Sequence, residues 1–305
     1  SIGASLPVIG QRGLVVVDGT GKFLIPGLWD MHVHSLKMSP QYTHPLSIAK
    51  GITGVREMWG CPSLADGFVA CGEDIERWRA ELQDRSRLAP RYIMRSSFAI
   101  NGEQGVPSAA PAFFKARNAD EAQALVAHHA ADGVDLLKTY TNVSVAAYGA
   151  LAAEASRHGL LVAGHLPVRV PLGMAIAAGQ HSVEHPRVFL FECYRGAAGF
   201  RALPDPMAAY TADMRLRFID EHDPVRCAER MTAMAASDTW WTPTLQVLRM
   251  SALAGNREFR EDPRRRYIPF ILWAGLWQPD ADRGVAHARH ASGRDVDAEL
   301  YRIAM

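Results

Sequence analysis

The sequence predicts an α/β fold: a (β/α)8 TIM barrel lacking its eighth strand in this chain. Three observations predict it. Short, largely apolar runs alternate with helical patterns seven times along the chain. Runs that are apolar throughout suit parallel strands buried on both faces. No Gly-x-Gly-x-x-Gly follows the first strand, which favours a barrel over a dinucleotide-binding sheet. The 305 residues, 48% hydrophobic and 21% charged, suffice for a large core and exclude a disordered or fibrous chain.

Taken in order, residues 1–26 read as an entry segment. The runs LVVVDG, TG and KFLIPG have a hairpin-like pattern. Residues 27–305 read as the barrel, incomplete at its C-terminal end. Strands are expected at Leu28–His32, Gly54–Met58, Tyr92–Phe98, Val134–Thr139, Leu160–His165, His181–Glu184 and Trp240–Leu245. Helices are expected at Glu73–Gln83, Asp120–His129, Val145–His158, Val170–Ala178 and Asp223–Ala236. Asn118 opens the second of these as an N-cap, with acidic residues in the first turn. The last stretch, ASGRDVDAELYRIAM, sets Val296, Leu300 and Ile303 on one helical face. A final strand should follow such a helix. Seven strands leave two sheet edges. The expectation is therefore a domain cut short, or one completed by a separate polypeptide, and a homo-oligomer is also open.

Lys plus Arg number 33 and Asp plus Glu 32, a net charge of +1, so nucleic acid is a poor partner. The longest apolar run, near Tyr267–Trp277, contains Pro269 and is too short to span a bilayer. No targeting segment is visible at the start. Of the four cysteines, Cys61 can pair with Cys71 and Cys193 with Cys227, and no Cys-x-x-Cys is present. Disulfides would indicate a periplasmic or secreted protein, and buried thiols a cytoplasmic one.

Chemistry-bearing residues gather at strand ends, where a barrel collects its catalytic groups. His32 and His34 lie two apart in an extended run and face one side, so both imidazoles can reach one metal ion. Lys138 is one of five lysines in a chain that otherwise uses arginine, and it lies in the apolar run VDLLKTY. Burial would lower its pKa. The neutral amine could then take up CO₂ and become an anionic carbamate ligand, which arginine cannot do. His165 and His185 each close an apolar run, with proline close behind. His181 reads as structural.

These stretches together resemble the amidohydrolase superfamily, in its imidazolonepropionase-like and Xaa-Pro dipeptidase-like branch. The matching runs are FLIPGLWDMHVH, GITGVREM, VDLLKTY, EASRHGLLVAGHLP and AGQHSVEHP, in the family's order. The resemblance implies two divalent metal ions, zinc by preference. His32 and His34 would bind the first, His165 and His185 the second, and carbamylated Lys138 would bridge both. The family's small β-sandwich would be represented here only in part, by LVVVDGTGKFLI within residues 1–26, and its strand-eight aspartate, in a Gly-Thr-Asp-like segment, has no counterpart before Met305.

The implied function is a binuclear metal-dependent hydrolase acting on an amide or peptide bond of a small-molecule substrate. A dipeptide or N-acyl amino acid suits best. Lactone, cyclic amide or organophosphate ester hydrolysis stays open, as does an inactive barrel used for binding. Lys138 argues against a mononuclear deaminase. Lys138, His165, His185 and Tyr140 are the expected catalytic residues, with Tyr140 either donating to substrate or lining the barrel mouth. Trp59 could form an apolar wall or pack under a loop, and Trp29 suits core packing. Arg95 and Arg187 could each anchor a carboxylate or form a surface salt bridge.

Overall fold

The computed structural model describes residues 17–61, 66–102 and 114–305. Most of the expected sandwich segment lies outside these residues, and residues 17–27 are exposed and belong to no strand. Nine strands follow: β1 (Leu28–Val33), β2 (Ile52–Glu57), β3 (Arg91–Arg95), β4 (Ile100–Asn101), β5 (Phe114–Lys115), β6 (Leu136–Thr139), β7 (Leu161–Gly164), β8 (Ser182–Glu184) and β9 (Trp240–Thr242). They form two parallel sheets, β1-β2-β3 and β5-β4-β6-β7-β8-β9. A parallel bridge between Ser96 and Leu136 joins the sheets where β3 runs out. The result is a (β/α)8-like arrangement in which β1 and β9 are the terminal strands.

Register explains how the strands divide their residues between two surfaces. Lys138 pairs with Ala163, and Thr139 with Gly164. Alternation sends Leu137 outward into the large core shared with Val162, Val183, Tyr148, Leu151 and Val126. Leu136 turns inward against Met58 and Ala163. Lys138 shares that inward parity. The outer helices supply the other half of the core. Ala119–Ala131 opens with Asn118 accepting the Glu121 amide, as expected, and Val145–Arg157 opens with Ser144 accepting that of Ala147. The C-terminal helix Val296–Ala304 buries Val296 and Leu300 among Val168, Phe191 and Phe218, with Ile303 packed alongside.

Some expectations need correction. The third strand ends at Arg95, because the chain leaves the sheet and buries Phe98 and Ala99 against Trp59 and Tyr140. Strands β4 and β5 were not expected; each is two residues long and carries no periodic signal. Trp29 is not core packing: it is 58% exposed, its indole lying against Gly54 at the edge strand. Cys61–Cys71 and Cys193–Cys227 are both disulfides, consistent with a periplasmic or secreted protein. Among the described residues, no helix is long and apolar enough to cross a membrane.

Candidate functional site

The strand ends of β1, β6, β7 and β8 bring His32, His34, Lys138, His165 and His185 together. Nε2 of His32 lies 3.2 Å from Nε2 of His34. The His185 ring centroid is 4.7 Å from those of both His32 and His165. Lys138 Nζ is 3.4 Å from His34 Nε2 and 5.0 Å from the centre of the Trp59 ring. Tyr140 stacks on His165 at 4.1 Å.

Local backbone makes this convergence feasible. Gly164 has φ +119, and a Cβ there would come within 2.4 Å of Thr139 O and 3.1 Å of Lys138 Cγ. Only glycine lets β7 approach β6 so closely just before His165. His185 takes φ +72 and Thr244 φ +44, left-handed conformations that cost about 1–3 kcal/mol each. Three bonds hold His185 there. Its amide donates to Thr242 O at 2.9 Å, its carbonyl accepts from the Trp241 indole at 2.9 Å, and its Nδ1 meets Thr244 Oγ1 at 2.8 Å. His165 Nδ1 is likewise held by Thr141 Oγ1 at 2.8 Å. In both rings Nε2 is left for another partner.

Beneath the imidazoles lies a buried charged network. Glu184 accepts from Arg56 at 2.7 Å and from Ser182 at 2.6 Å, and contacts His32 Nδ1 at 2.7 Å. Arg56 also donates to Ser182 Oγ and to the Met31 carbonyl. Glu57 accepts the amides of Ser35, Trp59 and Gly60. Arg56, Glu57 and Glu184 are each 1% exposed, and Lys138 is fully buried. The pairing with His32 and Arg56 holds the Glu184 carboxyl below its ordinary value despite its burial. Burial lowers all four imidazoles and brings His185 down to about 2, so they are neutral and keep lone pairs at pH 7. Burial also brings Lys138 down to about 8, against the opposing pull of Glu57 and Glu184.

The expected two-ion centre with a carbamylated Lys138 is not what these residues form. Among the described residues, the group of His, Cys, Asp and Glu whose ligand atoms all lie within 4.8 Å is Cys193, His222 and Cys227. Among the described residues, His32 and His34 approach to 3.2 Å, but no third strand-end ligand atom completes such a set with them. Charge gives the physical reason for Lys138. Glu57 and Glu184 favour its ammonium, and a carbamate would add a third anion beside them. A single ion is a different case. Two metal–imidazole bonds of about 2.0–2.1 Å at a tetrahedral angle separate the nitrogens by roughly 3.3 Å. The His32–His34 pair meets that spacing, and Glu184 fixes the His32 tautomer so that Nε2 carries the lone pair.

The flanking residues divide into two groups. Trp59 lies 4.8 Å from His34 and 5.6 Å from Phe98, ring to ring, forming an apolar wall. Arg187 reaches Thr141 Oγ1 at 3.4 Å, beside the site. Arg95 instead pairs with Asp132 at 2.8 Å, the salt-bridge alternative. Arg56, Glu57, Glu184, Thr141 and Thr244 were missed by sequence reasoning. The first three stand in GITGVREM and SVEHP, where charge in an apolar run was the signal that singled out Lys138.

No family profile matches the chain. A dihydroorotase from Carboxydothermus hydrogenoformans is 33% identical over 107 residues, 32% of this chain and 23% of that protein. Among solved structures, bottromycin amidohydrolase aligns over 92% of this chain with TM-score 0.54 and 20% identity. A Xaa-Pro dipeptidase solved with methionine in its active site aligns over 86% of this chain and 61% of its own, with TM-score 0.45 and 17% identity. The first of these structural likenesses shows the fold alone. This chain spans 54% of the length of bottromycin amidohydrolase.

Proposed function

We propose that the chain is a hydrolase of amide or peptide bonds in small substrates, a dipeptide or N-acyl amino acid. It would work at the strand-end cluster with one divalent cation held by His32 and His34. The observation that carries this reading is the 3.2 Å approach of the two Nε2 atoms, backed by the Glu184 contact to His32. Such a cation, when bound, supplies Lewis acidity and an acidified water.

The chain's own groups do the rest. His165 and His185, held at Nδ1 by threonine hydroxyls, turn neutral Nε2 atoms toward the bond to be cleaved. Tyr140 stays a phenol, since burial raises its pKa, and serves as a donor to the substrate carbonyl. Lys138, at about 8, exchanges a proton near neutral pH, and a positive charge beside His34 favours its neutral amine. Trp59 and Phe98 would receive an apolar acyl group or side chain, and Arg187 the carboxylate. A panel of dipeptides and N-acyl amino acids, assayed with added divalent metal, tests the reading. Lys138→Met should lower kcat by about 10²–10⁴. Hydrolysis of no panel member, or full activity in that variant, would refute it.

Residues 27–305 are proposed as the barrel unit, with a further parallel strand, from sequence outside these residues or from a separate polypeptide, seated between β1 and β9. Leu28, Trp29 and Trp240 are exposed there. Backbone amides of β1 and β9 should then exchange with solvent much faster than those of β6 and β7 in the isolated chain. Equal protection would argue against an added strand.

A further inference from the structure

Away from the strand ends, Cys193, Cys227 and His222 place their donor atoms within 4.8 Å of one another. Cys193 ends the helix Arg187–Cys193, and Cys227 lies in the helix Pro224–Ala235. His222 sits just before that second helix, and its Nδ1 is buried with no hydrogen-bond partner. A buried ring nitrogen left without a partner, on a ring that brings a donor nitrogen within 4.8 Å of two sulfurs, needs an explanation. The disulfide offers it none, since neither bonded sulfur carries a proton or a full negative charge.

The frame holding these donors does not depend on the sulfur–sulfur bond. The Asp223 amide donates to the Cys193 carbonyl at 2.8 Å, and Tyr194 and His222 form an antiparallel bridge. The Arg195 amide donates to the Glu221 carbonyl at 3.1 Å, and Arg226 Nε to the Glu192 carbonyl at 2.7 Å. Phe189 closes one side, its ring centroid 5.2 Å from that of His222. Opening the disulfide therefore leaves three donors pinned together, with both sulfurs buried and His222 partly so.

We infer that Cys193, Cys227 and His222 form a redox-gated site for a thiophilic divalent cation, closed while the disulfide stands and opened by reduction. A dithiol reductant passes two electrons and two protons to the disulfide, giving two thiols and its own disulfide. The cation then binds two thiolates and the imidazole, releasing two protons to solvent. Two sulfurs and one nitrogen suit zinc or a similar borderline ion, with the fourth position open to water.

Cobalt(II) alone is a suitable probe, because thiolate ligation gives a near-ultraviolet charge-transfer band that imidazole ligation at His32 and His34 does not. This keeps the outcome separate from that of the proposed hydrolase. A Cys61→Ser/Cys71→Ser background removes the other disulfide. Once a phosphine has reduced the remaining disulfide, the protein should bind cobalt with that band, and the oxidised protein should not. His222→Phe should weaken binding by about 10–100-fold or more, since even outer partners of metal ligands are worth that much. No band in the reduced protein, or unchanged affinity in His222→Phe, would overturn the inference. So would loss of the helical circular dichroism signal on reduction, because the site requires the native frame.

Discussion

Ion pairs occupy two contrasting environments in this molecule. Inside the barrel, Arg56 and Glu184 meet with side-chain exposures of 1% and 0%. In the arginine-rich stretch 257–283, Arg257–Glu261 is 87% and 56% exposed and Arg283–Asp280 62% and 66%. The outer pairs are more numerous but stand in water, where such contacts contribute roughly 0–1 kcal/mol. The Arg56–Glu184 pair is bonded to the imidazole that begins the candidate site. Charge matters here by location: the network that orients His32 is buried, and the arginine surface keeps the chain solvated.

This contrast breaks if substitutions in the two places cost the same. Arg56→Met should cost the most, about 3–5 kcal/mol in urea unfolding, because it strands a buried carboxylate. Leu300→Ala comes next, at about 2–5 kcal/mol. It tests whether the C-terminal helix is held by its apolar face, given that Leu300 is 2% exposed. Acid sharpens the contrast at positions away from the site. Burial brings His44 and His129 down to about 4 from an ordinary 6.5. The unfolded chain then binds more protons than the folded one between these values. Their contribution is complete above pH 6.5 and declines as pH falls through 4. In His44→Gln, the unfolding free energy should fall less steeply over that window; an unchanged slope would contradict the assignment. Arg257→Ala should be the smallest, within about 0.5 kcal/mol.

Much of the fold was legible because its strands are apolar on both faces and its helices are capped. VDLLKTY and LLVAGHLP announce buried strands, and Asn118 caps its helix as its sequence implies. The five residues that gather at the strand ends were conspicuous because imidazole and a scarce lysine stand at the ends of apolar runs. Arg56 and Glu184 were not, because their pairing spans 128 residues and no local pattern records it. Thr141 and Thr244 look like ordinary loop residues until the fold brings them to the imidazoles. The disulfides could not be read from spacing, because separations of 10 and 34 residues suit buried thiols equally well. The two-ion reading went too far for a related reason. Ligand identity can be read along a chain, but the distance between ligands cannot.

The central claim is that the His32–His34 pair is where a single divalent cation binds. Elemental analysis of the oxidised protein, purified without chelator, tests it most directly when wild type and His34→Asn are compared. The disulfide-locked cysteines contribute nothing under these conditions. The account predicts one divalent ion per chain in the wild type and its loss in a still-folded variant. A metal-free wild type, or an ion retained by the variant, would contradict it.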